Sequence, residues 1–387
     1  MSLSEDKNVP ELRFKGFTDA WEQRKLGDIS NKVTEKNKKK EFTETFTNSA
    51  EYGIVNQRDF FDKDISNEKN INGYYIVREN DFIYNPRISN FAPVGPIKRN
   101  KLGRTGVMSP LYYIFRVNNI SEVYLEYYFN TTKWHKFMKL NGDSGARADR
   151  FAIKDSIFKL MPIPYPTFEE QQKIGAFLKK LDYTIALHQE KLSKLLALKE
   201  AYLQKMFAQD KKINPNFRFT NFNNNWEKHK LSEVVNVNSG RDYKHLKSGD
   251  VPVYGTGGYM LGVNQFLSDE DAIGIGRKGT IDKPQYLKSP FWTVDTLFYM
   301  TVKKGYDLLF VYSISQTVRW KKYDESTGVP SLSKTTINSI TKTFPPYKEQ
   351  VTIGKFFKKI NELINLEQIK LDKLRKLKKA YLRKLFI

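Results

Sequence analysis

Two similar stretches of sequence decide the fold: "FEEQQKIGAFLKKLD" (Phe168–Asp182) and "YKEQVTIGKFFKKIN" (Tyr347–Asn361). At a fixed offset of 179, residues 168–207 and 347–386 are identical at 21 of 40 aligned positions, without a gap. Prolines precede both stretches, in "MPIPYP" and "FPP", and Thr167 with Glu170 has the spacing of a capping box. The sequence therefore predicts one long helix written twice, over residues 167–208 and 346–387.

Apolar residues in both helices recur at alternating steps of three and four, the pattern of a coiled-coil seam. The economical partner for each seam is the other helix, and the duplication favours antiparallel pairing with internal pseudo-two-fold symmetry. The alternative is that each helix packs separately on its own domain. The predicted interface comprises Leu178, Leu181, Ile185, His188, Leu192, Leu195, Tyr202, Met206, Phe357, Ile360, Ile364, Glu367, Leu371, Leu374, Tyr381 and Leu385.

Polar residues interrupt the two seams at matching places, where His188 corresponds to Glu367 and Lys199 to Lys378. A histidine opposite a glutamate could act as a titrating switch. We favour the simpler interpretation, in which the polar positions help to set the register of the helices.

A second repeat lies upstream of each helix. "PELRFKGFTDAWEQRKLGDI" (Pro10–Ile29) aligns with "PNFRFTNFNNNWEKHKLSEV" (Pro215–Val234) at an offset of 205, and "DFIYNPR" (Asp81–Arg87) aligns faintly with "DAIGIGR" (Asp271–Arg277) at an offset of 190. So long a period indicates duplicated domains rather than a solenoid. Short β-rich runs and helical stretches between the repeats predict two mixed α/β domains, over residues 1–166 and 209–345.

Composition points to a polyanionic partner. The 387 residues carry a formal net charge of +22 and no cysteine. The charge favours nucleic acid, and the absence of cysteine excludes disulfides and thiolate chemistry. We expect a cytoplasmic protein, because there is no apolar run of membrane-spanning length and no signal-peptide pattern at the start of the sequence.

The sequence contains no convincing catalytic motif. "FPPY" (Phe344–Tyr347) resembles an adenine methyltransferase motif, but Phe344 cannot hydrogen-bond a target base. "GIGRKG" (Gly274–Gly279) matches a dinucleotide-binding pattern only weakly, because no helix pattern follows it. We therefore predict no catalytic residue, no metal site and no cofactor bound by this chain. An irregular cluster of nuclease carboxylates is the alternative that the sequence leaves open.

Basic residues in the divergent interiors are the candidates for DNA contact, because they occur among Gly, Pro and aromatic residues that let a backbone approach phosphates. Solvated surface loops are the alternative for any one cluster. The predicted residues are Arg87, Lys98, Arg99, Lys101, Arg104, Arg147, Arg241, Lys244, Arg277, Lys278, Arg319, Lys321 and Lys322.

The doubled helices, together with a "W-E-x-x-K-L" opening in each half (Trp21–Leu26 and Trp226–Leu231), resemble the specificity (S) subunits of type I restriction–modification systems. The resemblance covers essentially the whole chain. It implies two target-recognition domains, one in each interior, and two long helices in an antiparallel coiled coil. Because the interiors differ, we expect an asymmetric, bipartite DNA target.

The resemblance also implies partners. The S subunit is non-catalytic and recruits two methyltransferase (M) subunits, which use S-adenosylmethionine, and two restriction (R) subunits, which use ATP and Mg²⁺. By position it assigns the M-facing surfaces to Glu170–Phe207 and Glu349–Phe386. Three alternatives stay open: an S subunit whose partner is a fused nuclease–methylase, a stand-alone methyltransferase or nuclease, and a coiled-coil scaffold whose basic surface is incidental.

Overall fold

The computed structural model describes residues 8–60, 68–143, 149–208 and 212–387. The chain divides into two compact units: unit 1 comprises Met1–Leu187 and Leu371–Ile387, and unit 2 comprises His188–Lys370. Each unit therefore contains the beginning of one long helix and the end of the other.

Unit 1 is built on a four-stranded antiparallel sheet of order β2-β9-β6-β7, and the pairs β1-β10, β3-β4 and β5-β8 lie outside it. Two short 3-10 turns occupy Leu26–Asp28 and Glu68–Gly73. Its strands are β1 (Glu22–Lys25), β2 (Ser30–Lys32), β3 (Phe46–Ser49), β4 (Gly53–Asn56), β5 (Tyr75–Val77), β6 (Phe82–Tyr84), β7 (Ile97–Arg99), β8 (Gly106–Met108), β9 (Tyr113–Val117) and β10 (Pro162–Tyr165). Its helices are α1 (Gln57–Phe60), α2 (Glu122–Phe129), α3 (His135–Asn141), α4 (Asp155–Phe158) and the beginning of α5 (Phe168–Lys205).

Unit 2 repeats this plan with a four-stranded sheet of order β12-β18-β15-β16, the pair β11-β19 and a three-stranded sheet of order β14-β13-β17. A 3-10 turn occupies Trp320–Tyr323. The strands are β11 (Glu227–Lys230), β12 (Val235–Ser239), β13 (Ser248–Gly255), β14 (Gly258–Val263), β15 (Ala272–Gly276), β16 (Gln285–Leu287), β17 (Trp292–Thr293), β18 (Leu297–Val302) and β19 (Thr341–Phe344). The helices are α6 (Leu231–Val234), α7 (Leu308–Ser315), α8 (Lys334–Ser339) and α9 (Tyr347–Lys384).

The two main sheets correspond strand by strand, which confirms the prediction of two similar α/β domains. Strands β6 and β15 occupy equivalent inner positions, and they contain the runs "FIY" and "AIGIG" of the faint sequence anchor. All three residues of β6 and all five of β15 are buried. A strand covered on both faces reads as a continuous apolar run, which is why this anchor survives in otherwise unlike interiors.

The core of unit 1 is rich in aromatic rings. Phe82 of β6 stacks on Phe115 of β9 with ring centroids 5.4 Å apart, and Phe115 also meets Phe129 of α2 at 6.2 Å. Helix α2 begins at a Ser121 cap whose hydroxyl accepts from the Tyr124 amide. These contacts hold α2 against the sheet, and Asp307 caps α7 in the same way in unit 2.

Helix α5 begins two residues after Pro166 and helix α9 begins directly after Pro346, close to the predicted starts. The Thr167 hydroxyl accepts the Glu170 amide at 3.3 Å, as a capping box requires. The reciprocal half of the box was predicted wrongly. The Glu170 carboxylate binds the Arg13 guanidinium instead, because charge-assisted bonds to two N–H groups outweigh one neutral amide.

None of the helices in the part of the chain that the structure describes combines the length and the apolar character required to cross a membrane.

Candidate nucleic-acid interface and helix contacts

An antiparallel helix pair is present in each unit. In unit 1, Phe177 near the start of α5 meets Tyr381 near the end of α9 at 4.8 Å, and Asp182, one turn further on, pairs with Lys378. In unit 2, Phe356 near the start of α9 meets Tyr202 near the end of α5 at 5.0 Å. Residue numbers rise along one helix as they fall along the other, so both pairs are antiparallel.

The aromatic contacts of the helix pairs are repeated. Phe14 meets Phe177 at 5.8 Å in unit 1, and Phe219 meets Phe356 at 5.9 Å in unit 2. The last aromatic residue of each sequence repeat also packs on its unit's helical layer. Phe386 lies 5.3 Å from the Tyr124 ring, and Phe207 lies 5.4 Å from the Phe310 ring. Repeated residues thus make repeated contacts.

All sixteen residues of the predicted coiled-coil interface are buried or half-buried. Leu178 and Phe357 are fully buried, at 0% exposure, and Leu192 and Leu371 are 5% and 1% exposed. The half-buried members are Ile185, His188, Leu195, Tyr202, Ile364, Leu374 and Tyr381. Their burial fits the seam predicted from the spacing.

Glu367 is the buried polar residue of the seam in unit 2. Its carboxylate accepts Lys191 Nζ at 2.6 Å and contacts His188 Nδ1 at 2.7 Å. These hydrogen bonds, first to Lys191 and then to His188, lower the pKa of Glu367 to about 2. A carboxylate that stays charged in the seam tolerates only one alignment of the facing residues, which agrees with a role in register.

An ion-pair clamp fixes the beginning of each long helix. Arg13 donates to the fully buried Glu170 at 2.7 and 2.8 Å through Nε and Nη2, and Trp21 Nε1 donates to the same carboxylate at 3.1 Å. Arg218 holds Glu349 with two bonds of 2.7 Å. The sequence signal was present, because both members of each pair are identical between the copies, yet sequence reasoning missed the clamp.

The glutamine after each clamp glutamate is the second repeated polar contact. Gln171 accepts from the Ser121 amide at 2.9 Å and donates to the Pro166 carbonyl at 2.8 Å. Gln350 accepts from the Asp307 amide at 3.0 Å and donates to the Pro345 carbonyl at 2.9 Å. The repeated "EQ" pair is therefore explained by structure rather than by catalysis.

Exposed leucines recur at equivalent positions on the long helices. Leu187 and its equivalent Leu366 are 46% and 47% exposed, and Leu198 and Leu377 are 44% and 43% exposed. An exposed leucine has no packing reason within a unit to be the same in both copies.

The predicted DNA-binding residues at 98–104 have protein partners in unit 1. Arg99 donates to Glu126 at 2.6 and 2.8 Å, Lys101 lies 2.6 Å from the same glutamate, and Arg104 donates to Glu44 at 2.6 and 2.7 Å. Lys98 donates to the Asn130 side chain at 3.2 Å, and burial lowers its pKa. Much of the positive charge of this cluster is locally neutralised.

Arg87 has a different environment in unit 1. The backbones of Arg87 and Arg150 form an antiparallel bridge, and both side chains are exposed. Neither side chain has an acidic partner among the residues that the structure describes. Arg147, which the sequence analysis also proposed, lies outside the described residues.

Three predicted residues come together in unit 2, around the segment 293–296. The Arg241 amide donates to the Thr293 carbonyl at 2.9 Å, and the Arg277 and Lys278 amides donate to the Thr296 carbonyl at 2.8 and 3.2 Å. All three side chains are exposed. This convergence of residues far apart in sequence was not predicted.

The remaining predicted DNA-contact residues of unit 2 are exposed cations, and no hydrogen bond among the described residues joins them to one common segment. Lys321 pairs with Asp282 at 2.9 Å, and Arg319 and Lys322 flank it beside the buried Trp320. Lys244 follows Asp242 on an exposed segment. The contact between DNA and any of these side chains stays a prediction.

Within residues 8–60, 68–143, 149–208 and 212–387, no group of three or more His, Asp or Glu side chains is placed to hold a metal ion.

Comparisons with known proteins agree on one family. The family model described as "Type I restriction modification DNA specificity domain" matches residues 18–197 and 223–376. The Type I restriction enzyme MjaVIII specificity subunit of Methanocaldococcus jannaschii is 22% identical over 343 residues, which cover 79% of this chain and 77% of that protein.

Solved structures show a similar fold. The S subunit of a type I restriction–modification system from M. genitalium is 17% identical with a TM-score of 0.68, covering 98% of this chain and 99% of that one. A chain from a structural study of complex assembly and conformational transition in the type I system is 12% identical with a TM-score of 0.53, covering 95% and 97% of the two chains.

Proposed function

Because the chain belongs to the family of type I restriction modification DNA specificity domains, we propose that its two α/β regions read two unlike half-sites of one bipartite DNA target. A specificity subunit is the non-catalytic, DNA-recognition component of such a system. The observation that supports an asymmetric target is the contrast between repeated helix contacts and unlike basic surfaces in the two units.

The exposed leucine repeat supports a partner bound twice. Leu187 with Leu366 and Leu198 with Leu377 would offer the same apolar contact to two copies of one protein. We assign these positions to two methyltransferase subunits, with two restriction subunits joining the assembly. S-adenosylmethionine, ATP and Mg²⁺ would bind to those partners. The cytoplasm is the compartment that fits a DNA target and a chain without cysteine.

Methylome mapping tests the proposal. The chain is expressed with candidate methyltransferase subunits, and the methylated adenines are located in the host DNA. We expect one asymmetric target made of two specified parts and an unspecified spacer. Methylation by the purified chain alone, with S-adenosylmethionine, would contradict the non-catalytic role and favour a stand-alone enzyme. Copurification distinguishes separate methyltransferase and restriction subunits from a fused nuclease–methylase.

A leucine substitution tests the partner surface with an internal control. Leu198→Arg should weaken copurification of the methyltransferase subunit, because it places a charge in a repeated apolar contact. Leu196→Arg is the matched control, since Leu196 is 50% exposed and its equivalent is already Arg375. Equal loss of the partner in both variants would contradict the assignment.

A further inference from the structure

The lining of one groove in unit 1 contains none of the neutralised basic residues at 98–104. It has a volume of about 550 Å³ and lies between the β3-β4 hairpin and the segment 85–91. Among the residues that the structure describes, its lining includes two arginines, Arg87 and Arg150, and one carboxylate, that of Glu51. The groove is therefore net positive, which suits a polyanion.

The two arginines are held by backbone contacts rather than by side-chain salt bridges. The Ile88 amide donates to the Asp149 carbonyl at 2.9 Å, and the Phe151 amide donates to the Pro86 carbonyl at 2.7 Å, on either side of the bridge between Arg87 and Arg150. The described residues offer neither guanidinium an acidic partner. An arginine with a fixed backbone and a guanidinium group that pairs with no carboxylate can bind a guanine edge or a phosphate.

Two residues of the lining each have a buried amide oxygen without a hydrogen-bond donor among the described residues: Asn48 Oδ1 and Gln57 Oε1. Asn48 is 3% exposed, and its Nδ2 donates to the Ile83 carbonyl at 2.7 Å, so its amide orientation is determined. A buried acceptor without a donor is unfavourable. Both oxygens are closed to solvent in this structure. The half-buried Gln57 can expose its oxygen by a change of rotamer, and the exocyclic amino groups of adenine and cytosine could then donate to it.

An exposed aromatic ring stands at the edge of the groove. Phe91 is 78% exposed in the tight turn formed by the bridge between Ser89 and Ala92. A phenylalanine so exposed has no role in the core. Apolar side chains of this kind contact thymine methyl groups or sugars in protein–DNA interfaces.

We propose that this groove is the base-reading site of unit 1, which contacts the edges of its half of the target in duplex DNA. Arg87 and Arg150 donate to guanine, Gln57 turns its amide oxygen towards an exocyclic amino group, and Phe91 makes the apolar contact. The inference rests on the proposed function, and it identifies which of the basic surfaces of unit 1 reads the base sequence of DNA.

The test uses the full chain in complex with its methyltransferase subunits and reads the methylated target base by base. Arg87→Ala with Arg150→Ala should relax the base preference of one half-site and reduce methylation of the full target roughly 5- to 150-fold per lost contact. The other half-site and the spacer should not change. Gln57→Leu should alter the preference at a single position of the same half-site.

Two further double variants distinguish base contacts from a general loss of positive charge. Lys32→Ala with Arg78→Ala removes the same number of charges from unit 1 where they are paired with Asp155 and Glu35, and it should leave both half-sites unchanged. Arg87→Lys with Arg150→Lys keeps the charges but removes the planar fork, so the base preference should relax while the salt dependence of binding stays close to wild type. A retained base preference in this variant would assign the arginines to phosphates and overturn the proposal.

The failure of the groove assignment is distinguishable from the failure of the proposed function. If Arg87→Ala with Arg150→Ala keeps both half-sites while the wild-type chain directs methylation normally, the groove is not the reader and the function stands. If the assembled wild-type complex binds no defined target, the function is overturned and the groove assignment with it.

Discussion

In unit 1 the Phe177 ring meets Tyr381 at 4.8 Å, and in unit 2 the equivalent Phe356 ring meets Tyr202 at 5.0 Å. The helix pair of each unit is thus completed by the last turns of the long helix that begins in the other unit. The main sheets also correspond, and the difference lies in the outer strands. Unit 1 carries the β3-β4 and β5-β8 pairs where unit 2 carries the three-stranded β14-β13-β17 sheet.

This contrast separates two kinds of constraint. The helix contacts depend on complementary shapes on two distant segments, so a change in either one costs stability in its unit. The outer strands carry exposed loops, where substitution changes what is bound rather than whether the unit folds. The two units therefore agree in their supporting contacts and differ in their surfaces.

The largest expected effect comes from cutting the chain after the first long helix, α5. A fragment of residues 1–210 lacks Tyr381 and Phe386, but it retains Tyr202 and Phe207, which are their repeat equivalents. Two fragments should therefore complete each other as a dimer, and with methyltransferase subunits they should modify an inverted repeat of one half-site. Sedimentation equilibrium measures the state. A folded, monodisperse monomer would show that the fragment folds without pairing its helix with a second long helix.

The Arg–Glu clamps differ by one hydrogen bond between the units. Glu349→Ala leaves Arg218 without its buried partner and should destabilise the protein by about 3–5 kcal/mol. Glu170→Ala should cost about 1 kcal/mol more, because Trp21 also loses its acceptor. Urea denaturation measures both free energies. Glu169→Ala, which removes a 71% exposed side chain beside Glu170, should change stability by less than about 0.5 kcal/mol.

The repeated helix glycines should respond unequally to alanine. A Cβ at Gly354 would lie 2.4 Å from Asp307 Oδ1 and 2.8 Å from the Phe310 amide nitrogen, whereas one at Gly175 would lie 3.1 Å from the Val123 side chain. Gly354→Ala should therefore destabilise the protein by about 1–3 kcal/mol. Gly175→Ala should stay within about 1 kcal/mol of wild type, because improved helix propensity offsets the crowding. Thermal unfolding that ranks them in the opposite order would contradict this account.

The smallest expected effect concerns Glu367. Its pKa is lowered from 4.5 to about 2, so its charge stabilises the folded state fully above pH 4.5, and this contribution is lost as the pH falls towards 2. Glu367→Gln should cost about 1 kcal/mol at neutral pH. The difference from wild type should close over that acidic window in denaturation curves. A difference that stays constant from pH 7 to pH 2 would mean that the carboxylate charge is irrelevant.

Much of the framework was predictable because its signals are local or repeated. The helix seam follows from spacing within one segment, and the equivalence of β6 with β15 follows from a short apolar anchor. The Arg13–Glu170 clamp was missed although both residues recur, because the two lie 157 positions apart and at different repeat offsets. The strand order was beyond reach, since β2-β9-β6-β7 joins strands distant in sequence.

The sequence by itself determined that the chain is a duplication with repeated helices and unlike interiors, because periodicity and repetition are properties of sequence. Only the tertiary structure decided which cations are available. Arg99 and Arg104 look like Arg87 in the sequence, but Glu126 and Glu44 neutralise them from distant segments. A guanidinium's partners are set by what folding brings within about 3 Å, and local sequence does not encode that distance.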